Sequence, residues 1–479
     1  MTSVTRTIAD LPGPPALPLL GNALQLLRPS RAHLVCERWI HGHGPMVRIK
    51  VGRESIVAIA EREAIDEILR QRPDGYRRWA TQRKVIEEIS PSGVFSAEGE
   101  QWKHQRRLVL SALNIHYLSR YFDVVRTCTE RLGKRFEDAA QAASPFAISE
   151  AFSSYTVDVT STLALGDDLN TLERRDNELQ GHLHRVMEMT GRRIASPFAY
   201  WRYFKLPADR AMDRSTAEMH RAIAGFLERA RARMEAEPAR YEEPKNLLES
   251  MLAAQRNDNA FSEDDLIGNV FTILLAGEDT TANTLAWTTW LLGGRPDIQA
   301  RIATEAQEVL GAAGRPLPYE AMERLNYTEA VLRESMRLKP VAPFLPLEPL
   351  AEVTICATRI PAKTRLLLMT RLAARTSGGR SDEFYPDRWL EDDDATRAPK
   401  SLAFGAGPRF CPGRNLAFLE AKAVLATLCR DFEIELDGSA SQVKEVFKLA
   451  MVPVGLRVTL RVRRTESIHS EGQALAVHE

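Results

Sequence analysis

The sequence predicts a mainly α-helical protein with a small β portion. Two short strand patterns, MVRIKV at residues 46–51 and SIVAIA at residues 55–60, are joined by a glycine-containing turn. Helical patterns dominate from about residue 61, and strand-like pieces return between residues 353 and 373. Because both ends of the chain must meet to form one small sheet, we predict a single domain over residues 1–479.

Composition narrows the class of protein. The 479 residues are 44% hydrophobic and 27% charged, as in ordinary globular proteins. The 64 Lys and Arg residues balance the 64 Asp and Glu residues, so the whole chain has no net attraction for nucleic acid. The early apolar stretch, residues 16–27, is interrupted by Gly21 and Asn22 and is shorter than the roughly 20 residues of a spanning helix. We expect neither a nucleic-acid partner nor a membrane anchor.

The cysteines indicate a reducing compartment. There are five, an odd number, and they form no CxxC pair. The N-terminus lacks the pattern of a signal peptide. A disulfide framework is therefore not expected, and we predict a cytoplasmic location.

Three other segments have a distinct composition. The proline-rich residues 11–22 are predicted to be an ordered, non-helical start of the domain. Residues 230–246 are charged and interrupted by prolines, which predicts a solvated connection. Residues 465–479 are predicted to form a flexible tail.

The longest predicted helix begins at Ser262. Ser262 and Asp265 form a capping-box start, and Gly293, Gly294 and Pro296 form a stop. Roughly 30 residues at 1.5 Å each give a helix of about 45 Å, which is enough to cross a domain. We therefore expect this helix to run through the core.

The middle of that helix, AGEDTT at residues 276–281, is unusually polar for a core helix. One interpretation is a tolerated irregularity at a packing contact. The other is a ligand site, because a threonine hydroxyl that bonds to the carbonyl of the preceding turn opens the helix locally. Ala276 and Thr280 share a face, so a flat ligand would meet no large side chain there.

A lone cysteine lies in the loop FGAGPRFCPGRN, residues 404–415. An isolated cysteine is usually a small buried apolar residue. Here three neighbouring glycines would let the backbone approach a planar group, and Arg409 would favour a thiolate. The segment has no histidine to act as a base for nucleophilic catalysis, so a metal ligand is the better interpretation of Cys411.

The pattern Phe404-x-x-Gly407-x-Arg409-x-Cys411-x-Gly413, with Ala417 after it, resembles the haem-binding loop of the cytochrome P450 family. Further segments match the family in order and cover most of the chain: LPGPP at residues 11–15, Trp102-x-x-x-Arg106, Glu334-x-x-Arg337, and FYPDRW with Arg388. Alone, the second would indicate an amphipathic helix and the third a surface ion pair. The resemblance is to a soluble, bacterial-type member and implies the family fold, with haem between a long central helix and the cysteine loop with its following helix.

The resemblance implies roles for the matching residues. Cys411 would be the axial thiolate ligand of the iron of haem b. Phe404, Gly405, Gly407 and Gly413 would belong to the loop beneath the porphyrin, and the propionates would be bound by Arg409, Trp102 and Arg106. Ala276 and Gly277 would form the oxygen groove, and Asp279 with Thr280 would deliver protons. A structural ion-pair group behind the loop would consist of Glu334, Arg337 and Arg388.

Two departures from the family pattern bear on these roles. Many relatives have a basic residue in the strand after the Glu-x-x-Arg helix that reaches a second propionate, but residues 340–353 contain none. Haem binding would then depend more on Arg409 and Arg106. The segment of residues 374–389 is also shorter than in most relatives.

The implied function is a haem-thiolate monooxygenase that inserts one atom of O2 into a hydrophobic substrate such as a lipid, terpenoid or polyketide. The pocket would include Val341, Ala342, Phe344 and Leu345, and the aromatic-rich residues 196–204 would lie near an access channel. Peroxygenases, isomerases and haem gas sensors are the alternatives, but these proteins have no need of the Asp279–Thr280 pair.

The chain has no length for a flavin domain, so we expect electrons from a separate ferredoxin or flavodoxin-type partner. A cationic docking face for that partner would be formed by Lys103, Arg107, Arg414 and Lys422.

Overall fold

A computed structural model describes residues 6–463 except residues 91, 114, 175–177, 197, 258–260, 312–316, 376–379, 392–400 and 439–441. The predicted tail, residues 465–479, lies outside this part of the chain.

The helices are α1 (Ala32–His43), α2 (Arg62–Arg70), α3 (Ala80–Glu87), α4 (Gly99–Ala112), α5 (Ile115–Arg120), α6 (Phe122–Ala142), α7 (Ile148–Leu165), α8 (Glu178–Ala195), α9 (Pro207–Ala236), α10 (Leu247–Asn257), α11 (Glu263–Leu292), α12 (Pro296–Leu310), α13 (Ala321–Arg324), α14 (Asn326–Leu338), α15 (Thr370–Arg375) and α16 (Arg414–Asp431).

The strands are short and form several small sheets. They are β1 (Arg6–Thr7), β2 (Met46–Val51), β3 (Glu54–Ile59), β4 (Tyr76–Arg78), β5 (Leu345–Pro349), β6 (Val353–Ile355), β7 (Thr358–Ile360), β8 (Arg365–Leu368), β9 (Phe432–Leu436), β10 (Lys444–Phe447), β11 (Met451–Val454) and β12 (Val458–Val462). The mainly helical prediction is confirmed.

The main sheet joins the two ends of the chain, as predicted. Its strand order is β2-β3-β8-β5-β4, so strands from the first 80 residues flank strands that come after residue 344. The strands β2 and β3 pair antiparallel, and β3 pairs parallel with β8. Smaller sheets are formed by β1-β7-β6, β10-β11 and β12-β9.

The long helix α11 begins and ends as the sequence predicts. The Ser262 hydroxyl accepts a hydrogen bond from the backbone N–H of Asp265 at 3.1 Å, and the Asp265 carboxylate accepts from the N–H of Ser262 at 3.0 Å. The helix has 30 residues and ends at Leu292 before Gly293. It packs along α7, and most of its side chains are buried. Among the described residues, no helix combines the length and the apolar character that crossing a membrane requires.

The predicted connection at residues 230–246 is only partly correct. Helix α9 continues to Ala236 because Ala230 and Met234 are completely buried on its inner face. That burial outweighs the charged residues between them, and the irregular segment begins only at Glu237. Similarly, the end of the predicted strand region, after residue 369, forms the helix α15.

The Glu-x-x-Arg motif forms a buried ion pair rather than a surface one. Both carboxylate oxygens of Glu334 accept hydrogen bonds of 2.8 Å from Arg337, and Oε1 accepts one of 3.1 Å from Arg388. The indole of Trp389 and the backbone N–H of Tyr385 complete the shell around this carboxylate at 3.0 and 3.1 Å. The pairing of the three motif residues thus matches the expectation from the sequence.

We predict that Glu334→Gln lowers the free energy of unfolding by roughly 3–5 kcal/mol, because it leaves two buried guanidinium groups without a counter-charge. Urea denaturation followed by circular dichroism measures this change. The matched control is Glu188→Gln, which breaks an exposed pair of 3.0 Å with Arg192 and should cost less than about 0.5 kcal/mol. Equal, small effects of the two substitutions would contradict a structural role for Glu334.

Candidate active site

The cysteine loop is held in shape by backbone hydrogen bonds and two left-handed glycines. The N–H of Cys411 donates to the carbonyl of Phe404 at 2.9 Å. Gly405 and Gly407 have φ of 69° and 68°, a conformation that favours glycine. A Cβ on Gly407 would lie 2.1 Å from the carbonyl oxygen of Leu69 in α2, whereas one on Gly405 would meet no other atom within 4 Å. Contact with α2 therefore explains Gly407, which the sequence interpretation had assigned to space beneath a porphyrin.

The sulfur of Cys411 receives several stabilising interactions. The backbone N–H groups of Gly413 and Arg414, at the start of α16, hydrogen-bond to it, and the positive charge of Arg106 acts on it. Burial raises the pKa of the Cys411 thiol, while these N–H groups and Arg106 oppose that rise. A negative sulfur is favoured by N–H donors at a helix start. The cation that acts on the sulfur is Arg106 rather than the predicted Arg409.

Arg409 instead lies between the loop and the start of α4. Its guanidinium lies 4.5 Å from the ring centre of the buried Trp102. It donates to the carbonyl of Ala97 at 2.8 Å and forms an ion pair with Glu98. The two motif residues of α4 therefore both contact the loop, because Arg106 donates to the carbonyl of Phe410 at 2.6 Å.

Four guanidinium groups converge beside the loop, and we call them the arginine cluster: Arg72, Arg78, Arg106 and Arg409. Burial, with a smaller contribution from the charge of Arg409, lowers the pKa of Arg72 to about 10. Burial also lowers the pKa of Arg78, with repulsion from Arg72 and Arg409 as the next causes. Glu98 is the acid that offsets this charge in both cases. Buried cations of like sign are unfavourable unless a negative group pairs with them.

Several nitrogens of the arginine cluster have no hydrogen-bond partner among the described residues: Nε and Nη2 of Arg72, Nε of Arg106, and Nε and Nη1 of Arg409. Buried donors of this kind normally have partners. A ligand that carries two carboxylates would satisfy them and neutralise the charge. The residues present therefore fit the two propionates of a haem.

Arg72 and Arg78 were missed by the sequence analysis, which found no base in residues 340–353. Strand β5 indeed has none, but Arg78 lies directly opposite Leu347 of β5, on the neighbouring strand β4. Arg77 points to the other side of the strand and pairs with Glu348 at 2.7 Å. The signal that could have found Arg78 is the tandem Arg77-Arg78 in a short strand pattern.

The centre of α11 is accessible at two positions. Ala276 and Thr280 are exposed although most of this helix is buried. The hydroxyl of Thr280 donates to the carbonyl of Ala276 at 2.7 Å, which is the predicted bond to the preceding turn, while α11 stays a continuous helix. Gly277 faces away from this opening, because a Cβ there would lie 2.6 Å from Oγ1 of Thr160 in α7. The side chains of Ala276 and Thr280 would therefore line the expected groove. The glycine at position 277 is explained by its close packing against α7.

The residue after Thr280 connects α11 with α16, the helix that follows the cysteine loop. The hydroxyl of Thr281 hydrogen-bonds to the carboxyl group of Glu420, which lies on α16. Burial raises the pKa of Glu420 to about 8, so this carboxyl group is mostly protonated at neutral pH. The helix that continues from the cysteine loop is thereby tied to the open centre of α11.

Asp279 has neighbours that the sequence analysis did not identify. Burial and, to a smaller extent, the negative charge of Glu278 raise the pKa of Asp279 to about 6. His184 and Lys448 have the opposite effect. Nε2 of His184 lies 2.6 Å from Oε1 of Glu278. No sequence signal links His184 to this site, because α8 and α11 are far apart in the chain.

The predicted pocket residues lie at and before β5. Val341, Ala342, Phe344 and Leu345 are half-buried. The ring of Phe344 packs against Phe447 with centroids 4.7 Å apart. Their contact with a substrate stays a prediction.

Part of the predicted docking face is wrong. Lys422 is buried, and its ammonium group donates to the carbonyl of Met322 at 2.7 Å and to Glu329 at 2.9 Å. Lys103, Arg107 and Arg414 are exposed. Only these three of the four predicted cations remain available to a partner.

Comparison with known proteins agrees with this geometry. The family model described as Cytochrome P450 matches residues 11–460. Similar proteins include cytochrome P450 4c21 of Blattella germanica, 24% identical, with 93% of this chain and 91% of the relative covered. Cyclooctatin synthase of Streptomyces melanosporofaciens is 28% identical over 87% of this chain and 88% of its own length. The mitochondrial 25-hydroxyvitamin D-1 alpha hydroxylase of Mus musculus is 27% identical over 94% and 92%. The chain belongs to the cytochrome P450 family of haem-thiolate monooxygenases.

Proposed function

We propose that this protein forms a single domain that binds haem through Cys411 and hydroxylates or epoxidises a hydrophobic small molecule, with electrons from a separate ferredoxin or flavodoxin-type protein. Family membership establishes the general class, a monooxygenase with a cysteine-ligated haem, which uses O2 and a redox partner. The observation that best supports the finer proposal is the open centre of α11, where an exposed Thr280 hydroxyl lies next to Asp279.

On one side of the haem, the protein would supply the ligand and the counter-charges. Cys411 would ligate the iron, and the N–H groups of Gly413 and Arg414 would stabilise the negative sulfur. The arginine cluster would bind the two propionates. The haem, once bound, supplies the binding of O2 and its reductive activation.

On the other side, the residues would hold and move protons. The Thr280 hydroxyl donates its hydrogen to the Ala276 carbonyl, so its lone pairs are free to accept a hydrogen bond in the opening. Asp279, with a pKa of about 6, is partly protonated near neutral pH. Such a carboxyl group is suited to donate a proton and recover it in each cycle. Isomerases, peroxygenases and gas sensors would have no use for this pair.

The substrate would be apolar. The half-buried side chains predicted to line the pocket, Val341, Ala342, Phe344 and Leu345, carry no charge. A lipid, terpenoid or polyketide would match such a lining. Because the cysteines are free, we also propose a reducing, cytoplasmic location.

Isotope labelling tests the proposed reaction. The balance is R–H + O2 + 2 electrons + 2 H+ → R–OH + H2O, so product formed under 18O2 should carry one labelled oxygen atom. A panel of apolar substrates, first screened by the shift of the haem absorption on binding, would be turned over with a surrogate ferredoxin system. Product labelled only from water, or no oxygenated product with any substrate and donor, would contradict the proposal.

Substitution of Thr280 tests its role within that reaction. We predict that Thr280→Val reduces the product formed per electron pair by roughly tenfold or more, because the opening loses its hydroxyl while the side-chain volume is kept. Thr280→Ser is the matched control and should retain most of the coupling. Electron consumption, hydrogen peroxide and product are measured together. Unchanged coupling in Thr280→Val would remove Thr280 from the proton-handling role.

The exposed cations at the cysteine-loop side would guide the electron donor. We predict that Arg107→Glu and Arg414→Glu slow reduction at low salt by roughly tenfold, because charge complementarity raises association rates. The effect should decrease as salt is added, since ions screen exposed charges. Stopped-flow reduction by an acidic ferredoxin measures it. Arg221→Glu on α9, where the pair with Glu218 is exposed, is the control. Equal rates for all three variants would exclude this docking face.

A further inference from the structure

A histidine and two carboxylates form a compact group on the side of α11 that faces α7 and α8. Nε2 of His184 lies 2.6 Å from Oε1 of Glu278. The hydroxyl of Ser153 in α7 lies 3.1 Å from the imidazole and 3.2 Å from the same carboxylate oxygen. Counting one atom from each side chain, the nitrogen of His184 and the carboxylate oxygens of Glu278 and Asp279 lie within 4.8 Å of one another.

The burial of this group changes from one end to the other. The side chain of His184 is 51% exposed, whereas that of Glu278 is 1% exposed. Oε2 of Glu278 has no hydrogen-bond partner among the described residues, although it is buried. Asp279 lies next in the chain and precedes Thr280, whose hydroxyl is in the opening. The group therefore begins in solvent and ends beside the site where O2 would react.

We propose that His184 and Glu278 are relay residues that carry protons from solvent to Asp279. The proposal rests on the proposed function, in which each O2-driven turnover consumes two protons beside Thr280. A proton taken up by the imidazole of His184 passes to the carboxylate of Glu278 across the 2.6 Å contact. It then passes to the carboxylate of Asp279, and His184 is protonated again from solvent.

The charges around the imidazole favour its protonated form. The hydrogen bond to Glu278 raises the pKa of His184 most, and the charges of Glu278 and Asp279 add to it. Burial and the positive Lys448 oppose this rise. Because the pKa is raised, the ion pair with Glu278 is fully formed below the ordinary histidine value and is lost as pH increases through the raised value. Proton supply through His184 should therefore decline on the alkaline side.

The test compares His184→Ala and Glu278→Gln with wild type, and uses His182→Ala as the matched control. His182 lies on the same helix but contacts Ser215 of α9 at 3.0 Å. For the two relay variants we expect O2-driven product formation to fall at least roughly fivefold, with more hydrogen peroxide and a larger solvent deuterium isotope effect. The alkaline decline of the rate, which His184 sets in wild type, should disappear in His184→Ala.

A reaction driven by hydrogen peroxide separates proton supply from damage to the site. In R–H + H2O2 → R–OH + H2O no net proton is consumed, so the relay variants should keep this activity within about twofold. A parallel loss of O2-driven and peroxide-driven activity would indicate a structural role and overturn the relay. If wild type oxygenates substrate and His184→Ala shows the same coupling, isotope effect and pH profile as wild type, the relay is overturned. The proposed function would then remain intact. Wild type without oxygenated product would instead contradict the proposed function.

A measurement without turnover tests the contact itself. Nuclear magnetic resonance of the imidazole carbons in the full-length protein should give His184 a pKa above the ordinary histidine value, and Glu278→Gln should bring it down. A pKa of His184 that is unaffected by Glu278→Gln would overturn the proposal.

Discussion

The burial of four guanidinium groups beside the cysteine loop is the constraint on which the rest of the site depends. The arginine cluster is supplied by the loop, by α4, by β4 and by the turn after α2, so these segments must meet at one place. Like charges in a buried region repel one another, and Glu98 offsets only part of the charge. A ligand with two carboxylates would complete the arrangement and stabilise the fold on binding. The affinity for haem and the stability of the protein are thereby coupled.

The electrostatic environments of the cysteine loop and of the centre of α11 differ. At the cysteine loop, N–H donors and Arg106 support a negative sulfur. At α11, burial and the neighbouring Glu278 raise the pKa of Asp279 to about 6, so that this carboxyl group is partly protonated near neutral pH. The Thr281–Glu420 contact joins the helices that carry these two groups. This contact thereby links α11, which carries Asp279, to α16, which follows the cysteine loop.

Local patterns allowed much of this structure to be predicted. The caps of α11 and the strands β2 and β3 follow from short-range signals in the sequence, whereas the buried ion pairs of Glu334 were expected only from the family resemblance. Arg78 was missed because its position depends on the pairing of β4 with β5, which are more than 260 residues apart in the chain. Gly277 and Gly407 were assigned to the ligand side, but their neighbours are Thr160 and Leu69. Such contacts between distant segments leave no periodic signal. The sequence therefore shows which residue occupies a position but not which neighbour requires it.

The central claim is that the sulfur of Cys411 ligates the haem iron. The reduced carbon monoxide spectrum of wild type and of Cys411→Ser tests it most directly, because an electron-donating thiolate shifts the main absorption band to longer wavelength than histidine ligation does. We predict the long-wavelength band for wild type and its loss in Cys411→Ser, with haem still bound through the arginine cluster. A wild-type band at the position of histidine-ligated haem, or an unchanged band in Cys411→Ser, would contradict it.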